Sequence, residues 1–396
     1  MKKKYLIIAY ACEDKGSEPG VGYYWSKTIS DVNKKGKTIV ITRKNNDISK
    51  LSKDSGIEKI GIDLPINLLF IKKIIGIEFY YFLWTLMVFI YLLKNIRKYI
   101  KFTVHHITFT PVYYPPIYFI LPLKFFWGPI GGAESFPLAY LKSMKFKDVI
   151  KETFRSVLKY SSYINPIFYL ACVNSRKIIC STKETADFIP RIFQEKVIIE
   201  LMVMDFDKVI VKTKRNKNII IANRLINWKM THLFVESFHE YITNNICDYK
   251  LNIIGQGPYF DKIDSFIDNK QIVHFKRFEH RTEMLTMLKE SSLFVSMSLR
   301  DSGAASLLEA ISYHIPFLIT DSGAHKSFLD KGVGFGFALE NFTNDKEKII
   351  LLLSKILNED FLEKEKEKVK AVYHDHYREK EKYKRIKLII EGRSLN

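Results

Sequence analysis

The sequence predicts an α/β protein of two Rossmann-like, doubly wound domains in tandem, and three observations carry this. Short β-rich runs alternate with segments of helical periodicity in both halves of the chain. Glycine-bearing turns follow several of those runs, at 16–22, 131–132, 255–257 and 302–303. A polar stretch, Asp205-Phe206-Asp207 with Lys212 to Lys217, separates the two series. With 396 residues, 47% of them hydrophobic, the chain is long enough for two or three domains and apolar enough to give them cores.

The first series opens with Tyr5–Ala11 and Lys37–Thr42, two β-rich runs around a helix-compatible stretch from Val21 to Lys34. The start Met1-Lys2-Lys3-Lys4 has the charge of a secretion signal. However, the apolar run behind it is short, lacks a small-residue cleavage site and meets Glu13 and Asp14, so a buried first strand is expected. The loop Gly16-Ser17-Glu18-Pro19-Gly20-Val21-Gly22 permits tight turns and close backbone approach ahead of a helix start. It is not the GxGxxG dinucleotide fingerprint.

Ile74–Leu93 is a largely apolar run of twenty residues flanked by Lys72, Lys73, Lys94, Arg97, Lys98 and Lys101. Glu78 within it and the lack of a second such segment argue against a bilayer span. The expectation is contact with one leaflet, through Tyr80, Phe82, Trp84, Phe89, Tyr91 and the flanking cations, with a wholly internal aromatic helix as the alternative. Lys101–Thr108 reads as a strand ending in His105-His106, of which one is expected to face a cleft. Trp127-Gly128-Pro129-Ile130-Gly131-Gly132-Ala133-Glu134 follows as a glycine turn. Arg176–Ser181 is a further strand and Lys183–Ile189 a helix.

The second series has β-rich runs at Asn218–Ala222, Leu251–Gly255, Gln271–Phe275, Leu293–Met297 and Phe317–Thr320, with helical periodicity at Thr282–Lys289 and Ser306–Tyr313. From Asp345 the chain is helical and heavily charged. The division expected is a first domain over 1–200, a second over 201–365 and a C-terminal helical segment over 366–396.

Charge narrows the partners. The 62 Lys and Arg against 43 Asp and Glu leave +19, with a pI near 9.4, which favours phosphorylated ligands or an anionic membrane surface. No helix-turn-helix, zinc-finger or aromatic-sheet motif is present, so no nucleic-acid partner is expected. Cys12, Cys172, Cys180 and Cys247 form neither a disulfide framework nor a spaced metal site, and reduced thiols are the expectation.

Four features of the second half carry chemistry. Arg224 at a strand end, with Lys229 five residues on, can grip a diphosphate as fork and point charge. Gly255-Gln256-Gly257-Pro258 turns directly after a strand. In Ser298–Ala310, Asp301 lies at a strand-end loop, Gly303, Ala304 and Ala305 lead into a helix, and Glu309 comes two turns later, placed to accept both hydroxyls of a ribose. Asp321-Ser322-Gly323-Ala324 is another loop at the same sheet edge.

These residues resemble those of glycosyltransferase family 4, retaining enzymes of the two-Rossmann-domain GT-B type. The family's acidic residue, seven residues and Glu are matched by Asp301 and Glu309, followed by Ala310 and later Pro316. Asp301 stands where most members have Glu, His314-Ile315 where Gly is usual, and Asn223 where Gly precedes the Arg. The loops at Gly16–Tyr23 and Trp127–Gly132, with His105-His106-Ile107-Thr108, are similar to those of a bacterial branch that builds surface polysaccharides.

The resemblance implies two domains around a cleft and transfer of a sugar from a nucleotide-diphosphate donor, with retention and without a metal or cofactor. Arg224, Lys229, Asp301 and His105 are its implied catalytic residues. Glu309, Gly303, Ala304, Ala305, Gly257 and Gly22 join Arg224 and Lys229 at the donor, and His106, Gly20, Gly131, Gly132 and Glu134 lie on the acceptor side. His105 is the preferred cleft residue, with a one-residue shift to His106 left open. The implied acceptor is a saccharide or lipid-linked saccharide at the cytoplasmic face of the plasma membrane, and the final helical segment is implied to return to the first domain. The competing readings are a soluble glycogen- or sucrose-type transferase, a nucleotide-sugar epimerase and a non-catalytic scaffold.

Overall fold

The structure is a computed structural model that describes residues 3–14, 16–65, 76–202, 216–267, 270–276 and 281–392. Asp205-Phe206-Asp207, most of the 212–217 stretch, Lys72 and Lys73 lie outside the described residues. The chain forms two compact units: one from residues within 1–133, 155–204 and 382–396, the other from residues within 134–154 and 205–381.

The first unit is built on a parallel sheet. Its described strands are β1 (Lys4–Ile8), β2 (Lys37–Thr42), β3 (Glu58–Gly61), β4 (Thr103–His106), β5 (Lys124–Ile130), β6 (Ser175–Cys180) and β7 (Val197–Ile199), in the order β3-β2-β1-β4-β5-β6-β7. Tyr5, Leu6, Ile7 and Ile8 are all buried, because a parallel strand covered on both faces must be apolar throughout rather than alternating. Ile7 sits between Val40 on one neighbour and His105 on the other. The connections leave β1 in opposite directions, so the order reverses between β1 and β4, and loops after those two strands meet at a ligand-binding type of position.

The second unit repeats the plan with β8 (Asn218–Ala222), β9 (Lys250–Ile254), β10 (Ile272–Phe275), β11 (Leu293–Ser296), β12 (Phe317–Thr320) and β13 (Phe335–Phe337), ordered β10-β9-β8-β11-β12-β13. Its reversal lies between β8 and β11. Arg224 and Lys229 follow the first of these strands and Asp301 follows the second.

The chain crosses between units more often than its linear order suggests. Residues 134–154 belong to the second unit, where the Tyr140 hydroxyl donates to buried Asp345 at 2.5 Å and Lys145 pairs with Asp261 at 2.9 Å. The C-terminal residues of the first unit begin at Lys382, which donates to the Leu201 carbonyl at 2.7 Å, and Arg385 forks onto Glu200 at 2.6 and 3.1 Å. Residues 366–381 stay with the second unit.

The apolar segment forms a helix, Ile77–Lys94. Among the described residues it is the one helix long and apolar enough to cross a membrane by length and composition, with a third of it buried. Tyr80, Tyr81, Trp84, Val88 and Leu92 recur at helical spacing and are buried in the first unit's core. Trp84 lies 5.3 Å from Tyr10, centroid to centroid, and its indole N–H donates to the Ile62 carbonyl at 2.9 Å. The expectation of an interfacial Trp84 and Tyr80 is therefore corrected: they face inward, while Phe79, Phe82, Ile90 and Leu93 remain exposed.

Candidate active site

In the second unit, β8 runs out at Ala222 and the chain turns through Asn223 and Arg224. The Gly255-Gln256-Gly257 turn lies against that exit: Leu225 N–H donates to the Gln256 carbonyl at 3.0 Å and Tyr259 N–H to the Leu225 carbonyl at 3.0 Å. A Cβ at Gly257 would lie 2.1 Å from the Leu225 carbonyl oxygen, so only glycine allows this approach. Gly257 thus supports the Arg224 turn from behind. Arg224 is exposed, with its guanidinium 5.9 Å from the Trp228 ring centroid. Arg300 stacks on the same ring at 4.4 Å and is held by buried Glu152 through two bonds, at 3.2 and 2.7 Å.

Lys229 ends the short turn Asn227–Lys229 and forms an ion pair with Asp301, the two side chains being 14% and 16% exposed. The other Asp301 carboxylate oxygen accepts from the amides of Gly303 at 2.9 Å and Ala304 at 3.0 Å, and its backbone carbonyl accepts from the Ala324 amide at 2.7 Å. Burial alone would raise the Asp301 carboxyl. Lys229, nearby His325 and the Ala304 amide outweigh it and hold the group well below the usual carboxylate range. Burial lowers His325 to about 4, so its ring is neutral at pH 7.

The helix Ala305–Ser312 follows, entered through Ala304 in the left-handed region at φ 48°. Glu309 on this helix is buried and its carboxylate pairs with Arg281, at the start of the helix Arg281–Glu290. Burial pushes the Glu309 carboxyl up, against the opposing pull of Arg281. Direct contacts thus join Lys229, Asp301, Gly303 and Ala304. Arg224 is tied to their turn through Trp228, and Glu309 lies farther along the helix that Ala305 opens. Arg281, Arg300, Glu152 and His325 were not found by sequence reasoning: each acts through a contact remote in the chain, and no local motif marks it.

In the first unit the helix Ser17–Val32 begins four residues before the expected start, with Pro19 tolerated in its first turn. Gly20 and Gly22 are therefore helical rather than part of a loop. A Cβ on Gly22 would lie 2.1 Å from the Ala11 carbonyl oxygen and 3.1 Å from Thr108 Cγ2, so Gly22 brings the helix hard against the exits of β1 and β4. Buried in this way, Gly22 packs the helix onto those strand ends. Gly20 meets nothing closer than 4.0 Å.

The histidine expectation is also corrected. His105 and His106 are both fully buried. Nε2 of His105 lies 2.7 Å from the Gly128 carbonyl, while His106 is held between the hydroxyls of Tyr81 at 3.1 Å and Tyr118 at 2.7 Å. Burial lowers them to about 4 and about 3. Neither ring reaches a surface, because the helix Ile77–Lys94 and the turn at Ile117–Ile120 supply the aromatic cover over His106, and Trp25 and Phe126 flank His105.

Gly131 bonds through its backbone to Thr110 and Val112, and the Gly132 carbonyl accepts from Arg155 at 3.0 Å. Glu134 is buried. Glu18, at the start of the first helix, accepts from the Phe109 amide at 2.7 Å, and burial raises its carboxyl. Among the described residues no three His, Cys, Asp or Glu side chains are grouped to hold a metal ion.

Residues 204–374 match the family model described as glycosyl transferases group 1. No curated protein is significantly similar in sequence. Solved structures similar to the whole chain include a glycosyltransferase from Rickettsia africae ESF-5, at 13% identity and TM-score 0.61 over 99% of this chain and 98% of that one. The lipopolysaccharide outer core galactosyltransferase WaaB in its apo form aligns at 12% identity and TM-score 0.65 over 98% and 99%. HepE from Anabaena, in complex with UDP and glucose, aligns at 10% and 0.57 over 98% and 99%. At these identities the likeness is one of fold: two Rossmann-like domains of the GT-B type.

Proposed function

We propose that this protein is a retaining glycosyltransferase that moves a sugar from a nucleotide-diphosphate donor to a saccharide or lipid-linked saccharide in cell-surface polysaccharide synthesis. The observation that carries the reading is the Lys229–Asp301 pair at the strand-order reversal of the second unit, within the stretch that matches the glycosyl transferases group 1 model. HepE, crystallised with UDP and glucose, is an example of the same fold with such ligands.

In the proposed reaction the bond from the anomeric carbon to the diphosphate oxygen breaks. The acceptor hydroxyl oxygen bonds to that carbon on the same face, and its proton passes to the leaving phosphate oxygen. Arg224 and Lys229 neutralise the charge that grows on the diphosphate, the largest kind of contribution a protein makes to such a step. These two cations fill the electrostatic role a metal has elsewhere, while the Gly303 and Ala304 amides hold the Asp301 carboxylate in place. Asp301, kept ionised, accepts from sugar hydroxyls, and Glu309 exchanges Arg281 for the ribose. The acceptor approaches on the side of Gly20, Gly131, Gly132 and Glu134, and the enzyme works at the inner face of the plasma membrane.

The test is a panel of nucleotide-diphosphate sugars presented to the purified protein and scored by donor hydrolysis and by rise in melting temperature. At least one donor is expected to do both. A panel in which no donor raises the melting temperature or is hydrolysed contradicts the proposal.

A further inference from the structure

The helix Phe146–Ser161 is turned inside out. Phe146, Ile150, Phe154, Val157 and Tyr160 are spaced 4, 4, 3 and 3 residues apart, which at about 100° per residue puts them within a sector of about 120°. In a water-facing helix such a stripe packs on the core. Here all five are exposed, from 53% for Ile150 to 78% for Phe146. The charged residues take the opposite, inward side. Glu152 is buried against Arg300, Asp148 accepts from the Tyr259 hydroxyl at 2.9 Å, Arg155 donates to the Gly132 carbonyl and buried Lys159 to the Ala133 carbonyl at 3.4 Å.

The charges left on the exposed side have one sign. Its exposed positions hold the five apolar residues, Thr153, Lys147 and Lys151, and none is acidic. Lys151 lies 3.6 Å from the half-buried Asp148 carboxylate, whereas no exposed position of the helix is acidic. An apolar stripe edged by exposed lysines matches the chemistry of an anionic lipid surface, in which rings enter the acyl boundary while ammonium groups meet phosphates. A protein partner offers no reason for the missing acids, and a second copy of this chain would bring its own lysines, of the same sign, against these.

We infer that the exposed face of Phe146–Ser161 is the surface by which this protein docks on an anionic membrane, rather than the helix Ile77–Lys94, whose large aromatics are largely core. This deepens the proposal of a lipid-side acceptor by naming the contact, and it is tested without donor or acceptor, so the two fail separately.

The full chain is floated with vesicles of phosphatidylcholine containing about a third phosphatidylglycerol, and with phosphatidylcholine alone. Phe154→Glu, and separately Ile150→Ser with Phe154→Ser, are expected to lower binding to the anionic vesicles at least about tenfold at low and high salt. Lys147→Gln with Lys151→Gln is expected to lower it several-fold at low salt only. Phe82→Ser with Leu93→Ser, on the other helix, is expected to leave it within about twofold. All four variants change exposed side chains, and unchanged circular dichroism and melting temperature confirm that each is folded.

Three results overturn the inference: unaltered protein that ignores anionic vesicles, loss of binding in the Ile77–Lys94 variant alone, or a sedimenting dimer that Phe154→Glu converts to monomer while vesicle binding persists. The last would make the stripe a contact between two copies.

Discussion

Lys229 and Asp301 are 72 residues apart in the chain and form an ion pair where the second sheet reverses its strand order, one following β8 and the other β11. The pair is mostly shielded from water, and two amides hold the second carboxylate oxygen. Asp301 is thereby fixed in one orientation before any ligand arrives.

Replacing Lys229 with Met leaves that carboxylate charged and without its cation. The expected cost is about 1–3 kcal/mol of stability, read as a fall in the urea midpoint, because an uncompensated, largely buried charge is expensive. Transfer should fall further than stability explains. In both Lys229→Met and Arg224→Ala, kcat is expected to drop by about 100-fold or more, since charge on the leaving diphosphate grows during the reaction. A rise in KM with kcat intact would remove these residues from the transition state.

On the proposed function, in which Arg224 and Lys229 neutralise the diphosphate, chelation is expected to leave transfer by the parent protein unchanged. Activity abolished by chelator and restored only by magnesium or manganese would contradict the two-cation picture.

Glu309→Gln is expected to lower kcat/KM about 100-fold at subsaturating donor, a loss of roughly 2.7 kcal/mol from a charge-assisted bond to the ribose. Arg281→Ala removes a half-exposed partner and should leave transfer within about threefold. Equal impairment in the two variants would mean that Glu309 serves only to hold Arg281.

The buried histidines predict acid sensitivity. Burial lowers His105 to about 4 and His106 to about 3, whereas the unfolded chain has its histidines near 6.5. Between those values the unfolded state binds protons that the folded state refuses, so stability falls as pH drops, by up to about 1.4 kcal/mol per pH unit for each group. Urea midpoints measured from pH 7 to pH 4.5 should decline steeply. His106→Gln should start lower at pH 7, having lost its two tyrosine partners, but decline less steeply. An unchanged slope would show that His106 does not titrate this way.

Gly22→Ala is expected to cost at least about 1–3 kcal/mol, because its methyl group would overlap the Ala11 carbonyl oxygen and the helix would have to lift from β1. Gly20→Ala, two residues earlier, where a Cβ would meet only the Tyr24 ring at an ordinary 4.0 Å, is expected to be neutral or slightly stabilising. Thermal melting of the two variants side by side tests the assignment of Gly22 to packing.

Two parallel sheets were legible in the sequence. Continuous apolar runs such as Tyr5–Ile8 and Ile219–Ile221 have no polar side to give to water, and periodic helical segments separate them. Arg224, Lys229, Asp301 and Glu309 were legible by spacing, since residues leaving adjacent strand ends must converge when the strand order reverses between them.

What the tertiary structure decided were relations that no local pattern encodes. Alternation along β4 says that His105 and His106 point to opposite sides, but not that aromatic side chains from distant segments enclose both. Burial at Glu309 called for a partner without showing that it would be Arg281. The spacing of Phe146, Ile150, Phe154, Val157 and Tyr160 is written in the sequence, yet the same spacing serves a stripe turned inward or outward. Periodicity fixes a helix's apolar direction only about its own axis. Which way that direction points was decided by Glu152, Asp148, Arg155 and Lys159, whose polar partners lie in parts of the chain remote from the helix or just before it.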